Sequence, residues 1–358
     1  MKVARYHSRH DIRLEEVPVP QIGAGELLVQ VKACGLCGSD LMEWYTREKA
    51  PAVLGHEPAG VVAEVGEGVQ EFEIGDRVFV HHHVPCFTCH HCLRGYYTLC
   101  ETFKATHIDP GGFAEYIRVP ALNVESGVLK LPPDMSFPQA TLIEPVATCI
   151  RSIERANIQM GDTVVVIGAG VAGLIHTQLT RICGAGMVVA TDFVPFRLKM
   201  ARQLGADFAI NAREDVVGVL GELNEGRGAD VVIVTAGSIQ AMEQGMKLAG
   251  EGATVLLFAP SPPEANLPVS PHHLLFSEIT ITASYSCSPP ETRQSLKLIQ
   301  GGRIKTEALI THRFDLASVS EAILLAAEAR ESLKIVITPS VQTPAGGRPP
   351  PTPPVIPA

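Results

Sequence analysis

The chain has 358 residues, 46% hydrophobic and 19% charged, enough to bury large cores and expected to divide into two domains. Its 29 basic and 38 acidic residues leave a net charge of −9, which argues against nucleic acid as a main partner. No run reaches the ~18 apolar residues of a membrane span, and no apolar stretch follows the opening MKVARYHSRH as a secretory leader requires, so a cytoplasmic protein is expected.

Up to about residue 145 the sequence predicts short Val-rich strands bounded by glycine or proline, over 26–35, 59–69, 75–80 and 113–120. That is the pattern of a compact β domain. Metal-ligating residue types lie among them. Cys37 precedes Ser39 and Asp40, His56 and Glu57 stand side by side, and Glu144 follows in an IEP triplet. Sulfur, nitrogen and carboxylate from three distant stretches are the mixed shell expected of a catalytic zinc with one open position. Asp40 is a candidate to orient His56 by hydrogen bond. The triplet His81-His82-His83 closes the strand predicted over 75–80.

Next comes CFTCHHCLRGYYTLC, with Cys86, Cys89, Cys92 and Cys100 in C-x₂-C-x₂-C-x₇-C spacing. Short loops at such intervals wrap four thiolates around one tetrahedral ion, the closed shell of a structural zinc. Nine cysteines, an odd number, make a poor disulfide framework, and in a reducing compartment clustered cysteines more often bind metal than pair. An iron–sulfur cluster is the alternative. Its bacterial motif has three residues before the last cysteine and proline after it, where this chain has seven and Glu101.

The second half alternates strand and helix. Strands are predicted over 162–168, 187–192, 207–211, 229–237 and 253–258, with helices over 171–184 and 195–205, a βαβ succession with parallel strands. Gly168-Ala169-Gly170-Val171-Ala172-Gly173 joins the first strand to the first helix, and Asp192 ends the next strand nineteen residues beyond Gly173. This is the context a dinucleotide-binding G-x-G-x-x-G needs. Gly168 permits the turn, Gly170 lets backbone approach a pyrophosphate, and Gly173 lets helix and strand pack closely. Asp192 would accept hydrogen bonds from a ribose and repel a 2′-phosphate, favouring NAD over NADP, whereas Arg197 nearby could welcome that phosphate. A last strand is predicted over 333–339. The stretch from about residue 340, SVQTPAGGRPPPTPPVIPA, cannot build a core and is expected to be a disordered, polyproline-like extension.

CGLCGSD, GHEPAGVVAEVG, GDRV, the four-cysteine lobe, IEPVA and VIGAGVAG, in this order and spacing, resemble the zinc-dependent medium-chain alcohol dehydrogenase superfamily. The similarity is strongest to its sorbitol (polyol) and threonine dehydrogenase branch and covers roughly residues 1–340. It implies an α/β protein: a GroES-like β-rich catalytic domain with both zinc sites over 1–145 and a Rossmann doubly wound parallel-sheet NAD-binding domain over 146–285. The end of the cofactor domain and the return to the catalytic domain follow over 286–340, and the Pro-rich tail over 341–358. It also implies a homodimer or homotetramer.

Carried over by residue, Cys37 and His56 match two catalytic zinc ligands, and Glu57 matches a glutamate that ligates the metal or sits behind it. Glu144 stands where many alcohol dehydrogenases place a second cysteine, a departure from the Cys₂His shell. Ser39 matches the hydroxyl that contacts the substrate oxygen and begins the proton path. Met42 occupies the place of a relaying histidine and cannot carry a proton. His83, which matches a histidine of threonine dehydrogenases, becomes the candidate relay, with an ordinary imidazole pKa near ~6.5. The implied reaction oxidises a secondary alcohol to a ketone, with zinc as Lewis acid and hydride passing to NAD. A polyol, cyclitol or sugar is the first expectation for substrate, and a threonine-type 3-hydroxy amino acid the second. Trp44 and Tyr45 are candidate pocket walls, and the sequence shows no cluster of Arg or Lys to mark a phosphate site. A non-catalytic NADH-sensing zinc protein is the reading from a different class; it would need neither Ser39 nor an open metal position.

Overall fold

A computed structural model describes residues 1–339, so the expected tail over 341–358 lies outside the described residues. The strand Leu27–Leu36 (LLVQVKACGL) is mostly buried and forms the spine of a seven-stranded sheet. On one side it pairs antiparallel with Glu57–Val65, which leads to Arg77–Val80 and Val128–Lys130. On the other side it pairs with Lys334–Thr338, which continues to Ile310–Asp315. The end of the described chain therefore re-enters the first half, setting Ile335 opposite Leu36 and Ile337 opposite Cys34. Gly35 is needed at that crossing, because a Cβ there would overlap the Glu57 carboxylate.

The second half is a six-stranded sheet whose neighbours are all parallel, in the order Phe208–Asn211, Met187–Asp192, Thr163–Ile167, Ala229–Val234, Ala249–Leu257, Thr280–Ala283. Its inner strands are continuous Val/Ile runs with both faces covered, as a parallel sheet flanked by helices demands. Strand order reverses at Thr163–Ile167, and ligands of such sheets bind in the crevice at that switch point. Among the described residues no helix is long and apolar enough to cross a membrane.

One helix, Ile143–Ala156, packs on both Val171–Ile182 and Pro289–Gln300. Its Arg151 is buried and donates from Nη1 to Glu291 Oε1 (3.0 Å) and from Nη2 to the Gly95 carbonyl in the four-cysteine lobe (3.3 Å). Glu291 in turn caps its own helix by accepting the Ser288 N–H (2.8 Å). Lobe, bridging helix and the helix after the last parallel strand are thus fixed at one guanidinium.

Candidate active site

Cys86, Cys89, Cys92 and Cys100 place their sulfurs within 4.8 Å of one another. The Cys89–Cys92 and Cys86–Cys100 separations are both 3.6 Å. A disulfide needs ~2.05 Å, whereas four 2.3 Å bonds to one tetrahedral ion set sulfurs about 3.8 Å apart. The Cys86 N–H points at Cys100 Sγ (3.4 Å) and the Cys89 N–H at Cys86 Sγ (3.3 Å). The Thr88 hydroxyl and the N–H groups of Thr88 and Cys89 pull the Cys86 thiol down to about 5, favouring thiolate. Burial pushes Cys92 up to about 12, the cost a bound cation would offset. All nine cysteines are free thiols. The lobe fits a structural zinc.

The second cluster is assembled from distant stretches. Cys37 sits in extended backbone before the turn Gly38–Leu41, and its N–H donates to Asp40 Oδ2 (3.0 Å). Asp40 Oδ1 lies 3.7 Å from His56 Nδ1, an ionic contact longer than the hydrogen bond expected from sequence. Ligand atoms of Cys37, His56 and Glu57 lie within 4.8 Å of one another. Burial alone would lower His56, yet the negative charges of Cys37, Asp40 and Glu144 hold it well above its ordinary value, so the pocket favours a cation. These donors fit a zinc ion.

The two carboxylates differ sharply. Both oxygens of Glu57 are taken by Lys334 Nζ (2.8 and 2.6 Å), which also donates to the Leu36 carbonyl (3.1 Å); Glu57 is 0% and Lys334 3% exposed. Such a buried pair is costly to open, so Glu57 is held behind the cluster. Glu144 lies outside the 4.8 Å set, in the first turn of Ile143–Ala156, and faces the cavity in front. Burial, partly opposed by His56 and reinforced by Glu57, raises its carboxyl to about 7. Lys334 escaped the sequence reading, though a lysine inside the apolar run LKIVITP was a signal for a buried partner.

In front of the cluster lies a cavity of about 670 Å³. Cys37, Ser39, His56 and Glu144 line it from the first half, Val171, Ala172 and Met242 from the second, and Trp44, Tyr45 and Tyr285 also wall it. Ser284 Oγ lines it as well, buried and without a partner. His82 and His83 reach this cavity, while His81 is fully buried with Nε2 3.3 Å from the Cys287 carbonyl. His83 Nδ1 lies against the Thr106 carbonyl oxygen. A carbonyl only accepts, so Nδ1 carries the proton and Nε2 is left as acceptor. Burial lowers His83 to about 4, against the near-6.5 value expected from sequence. The cause is the packing of its ring against Phe103 and His107, which the sequence did not disclose.

At the cofactor turn, Gly168 has φ 92° and a Cβ on Gly173 would overlap the Gly168 carbonyl oxygen, so both positions require glycine. Asp192 accepts the Ala169 N–H at Oδ2 (2.8 Å) and the Val194 N–H at Oδ1 (2.9 Å). Arg197 Nη1 lies 3.9 Å from Asp192 Oδ2 and 3.9 Å from where a Gly170 Cβ would stand, and its buried Nε has no partner. Gly168–Gly173, Asp192 and Arg197 converge on one mouth, and the orphaned guanidinium nitrogen fits an anionic group such as a pyrophosphate. Val171 and Ala172 open the helix behind it and also line the large cavity.

Two family models match the chain: an alcohol dehydrogenase GroES-like domain over residues 23–133 and a zinc-binding dehydrogenase over residues 171–301. Sorbitol dehydrogenase of Bacillus subtilis is 32% identical over 351 residues, covering 95% of this chain and 98% of that protein. L-threonine 3-dehydrogenase of Pyrococcus abyssi is 35% identical over 310 residues, covering 84% and 87%. A zinc-binding dehydrogenase structure from Sinorhizobium meliloti 1021 bound to NADP superposes with a TM-score of 0.84 at 29% identity, covering 94% and 99%. With a GroES-like half carrying both candidate metal clusters and a Rossmann half lining the same cavity, the chain belongs to the zinc-dependent medium-chain alcohol dehydrogenase superfamily, in its polyol and threonine dehydrogenase branch.

Proposed function

We propose that the chain oxidises a secondary alcohol of a polyol, cyclitol or sugar to a ketone with NAD as hydride acceptor, holding one zinc ion in each cluster. The observation that carries this reading is the shared cavity, where Cys37, His56, Glu144 and Ser39 face the helix that opens at the cofactor turn. Zinc held by Cys37 and His56 would supply Lewis-acid activation of the alcohol oxygen, and the nicotinamide would take the hydride.

The protein's own groups do the rest. The Ser39 hydroxyl bonds the reacting oxygen and hands on its proton, and His83 accepts it at Nε2. Burial lowers His83 to about 4, below the near-neutral value that suits a general base, so it holds the proton only in transit to solvent. Lys334 neutralises Glu57, leaving Glu144 as the carboxylate free to approach the metal or the substrate. Asp192 favours NAD, since its oxygens already hold the cofactor turn and leave negative charge where a 2′-phosphate would sit. Arg197 serves the pyrophosphate beside Gly170. The NADP in the Sinorhizobium structure supports the opposite cofactor, and the match to a threonine dehydrogenase together with His83 supports a 3-hydroxy amino acid as second substrate class.

The test measures reduced cofactor formed from a panel of polyols, cyclitols, sugars, L-threonine and simple secondary alcohols, with NAD and with NADP. Zinc per chain is determined on the same sample. Turnover of a polyhydroxy alcohol with NAD and two zinc ions is expected. No turnover of any member with zinc present overturns the reading and favours a non-catalytic NADH sensor. A homodimer or homotetramer belongs to the same proposal. The outermost strand Thr280–Ala283 and the exposed Leu275, Phe276 and Tyr285 beside it support this, and sedimentation velocity tests it. So does a cytoplasmic setting, which the unpaired cysteines support.

A further inference from the structure

A second cavity, of about 290 Å³, lies beside the large one and shares Tyr45, His56, His82 and His83 with it. Three ring-to-ring steps cross it: His56 to His82 (5.0 Å), His82 to His83 (4.1 Å) and His83 to His107 (5.0 Å). Its outer rim is made by Lys49 and His107, both exposed. Lys49 Nζ sits 3.8 Å over the Tyr45 ring, and no ion pair among the described residues involves it. Among the described residues Asp40 is the only acid lining the cavity, and its oxygens face the Cys37 N–H (3.0 Å) and His56 (3.7 Å). A chain of net charge −9 thus keeps an uncompensated cation at the mouth of a cavity that opens onto its candidate metal cluster.

Sequence inspection found no such feature, because residues 49, 83 and 107 come together only through folding. Burial first, with the charges of neighbouring imidazoles and of Lys49 behind it, holds His82, His83 and His107 below the ordinary imidazole value. His83 has its Nδ1–H committed to Thr106 and His82 Nδ1 is buried without a partner among the described residues, so Lys49 and an N–H of His107 are the donors at the exposed rim.

We propose that this second cavity is a subsite for an anionic group on the substrate, a carboxylate or phosphate monoester several carbons from the reacting carbinol, held by Lys49 and His107. The proposal rests on the dehydrogenase reading above and narrows it to sugar acids or sugar phosphates. His56 and His107 stand three ring-to-ring steps apart, so the anion is placed several carbons from the carbinol rather than on the adjoining carbon as in a 3-hydroxy amino acid. Tyr45 floors the ammonium by a cation–π contact and keeps it over the opening.

The experiment compares three matched substrates: a pentitol, the corresponding pentonate and the pentitol phosphate. A charge-assisted contact at a half-open site is worth roughly tenfold in binding, so one anionic member should show a KM about tenfold below the neutral pentitol. Which of the two does so identifies carboxylate or phosphate. Lys49→Met should erase that difference, and Lys49→Arg should keep most of it. Equal kcat/KM for all three in the unaltered protein, or a Lys49→Met loss equal for neutral and anionic members, overturns the subsite while the dehydrogenase reading stands. If none of the three turns over, the wider substrate panel decides the dehydrogenase reading, and thermal stability with inorganic phosphate or malonate still reads the subsite. A rise in Tm present in the unaltered protein and absent in Lys49→Met supports it, and no rise in either removes it.

Discussion

The two candidate metal clusters are built on opposite principles. In the four-cysteine lobe every ligand lies between residues 86 and 100, and one residue type supplies them all. The cluster behind the cavity draws Cys37, His56 and Glu57 from the ends of two strands, with Glu144 beside it from a helix and Lys334 from a strand 277 residues beyond Glu57. A local site depends on loop geometry and little else. A dispersed one depends on the packing of both halves, so its properties are set by groups far away in sequence.

The two regions nonetheless meet at Arg151. Its helix carries Glu144 in the first turn, and its guanidinium holds the lobe through Gly95 and the helix Pro289–Gln300 through Glu291. The chain leading into that second helix carries Cys287, whose Sγ lies 3.9 Å from Glu144 Oε1. Arg151→Met should therefore be the most damaging single change outside the ligands. It leaves Glu291 buried and unpaired, at a cost of about 3–5 kcal/mol. Denaturant unfolding followed by circular dichroism measures this. A companion Glu291→Gln in the Arg151→Met background should recover part of the loss, since the uncompensated charge is then gone. A loss below about 1 kcal/mol would mean that the lobe and the bridging helix are fixed by other contacts.

Next in size is His83, which belongs to the dispersed region. His83→Asn should lower kcat by roughly 10²-fold, the scale of one general base. The pH dependence has a definite sign. Burial depresses the pKa to about 4, so the imidazole stays neutral from pH 5 upward, and the unaltered protein should lose no activity through His83 until pH falls towards 4. In the variant, raising pH should restore part of kcat as solvent base takes over. A change confined to KM, with an unaltered pH profile, makes His83 a substrate contact and leaves the relay to water.

This contrast also explains what the sequence disclosed. The lobe, the glycine turn with Asp192 and the strand succession follow from local spacing and period. The pairing of Lys334 with Glu57 does not, because register between strands at opposite ends of the chain decides it. The expected strand over 333–339 was placed within one residue at each end, yet its lysine was left without a role. The long helices Ile143–Ala156 and Pro289–Gln300 escaped too. The first begins inside a motif read only for its glutamate, and the second opens with two prolines that look like a loop but occupy the helix's first turn, where proline is tolerated. The basicity of His83 and the meeting of Lys49 with His107 are likewise products of packing.

The lobe offers the converse test. Cys89→Ser replaces one thiolate by a weak ligand, so zinc per chain should fall by about half. The surrounding core is large, so the loss should stay well below the ~10 kcal/mol that structural zinc contributes to small domains, with Tm lower by roughly 5 °C. Because Gly95 touches Arg151, some loosening of the bridging helix should accompany it, visible as a raised KM with kcat little changed. Full zinc and unchanged Tm in Cys89→Ser would refute the assignment of this lobe as a metal site.

The smallest effect is expected at Asp192, where local and dispersed logic overlap. Its carboxylate accepts the N–H groups of Ala169 and Val194, so it holds the cofactor turn in shape before any nucleotide arrives. Each oxygen keeps a second lone pair for a ribose hydroxyl. Asp192→Ala removes both functions, and hydrogen bonds to a charged acceptor are worth about 1.5–3 kcal/mol, so KM for NAD should rise at least tenfold. Asp192→Asn keeps one acceptor oxygen but not the charge. It should weaken NAD less than Asp192→Ala, since one of the two backbone N–H groups keeps its acceptor, while improving NADP, because the charge that repels a 2′-phosphate is gone. The ratio of kcat/KM for NAD to that for NADP, measured for all three proteins, separates shape from charge. If Asp192→Ala leaves that ratio and the NAD KM unmoved, the cofactor is chosen elsewhere and Asp192 serves the turn alone.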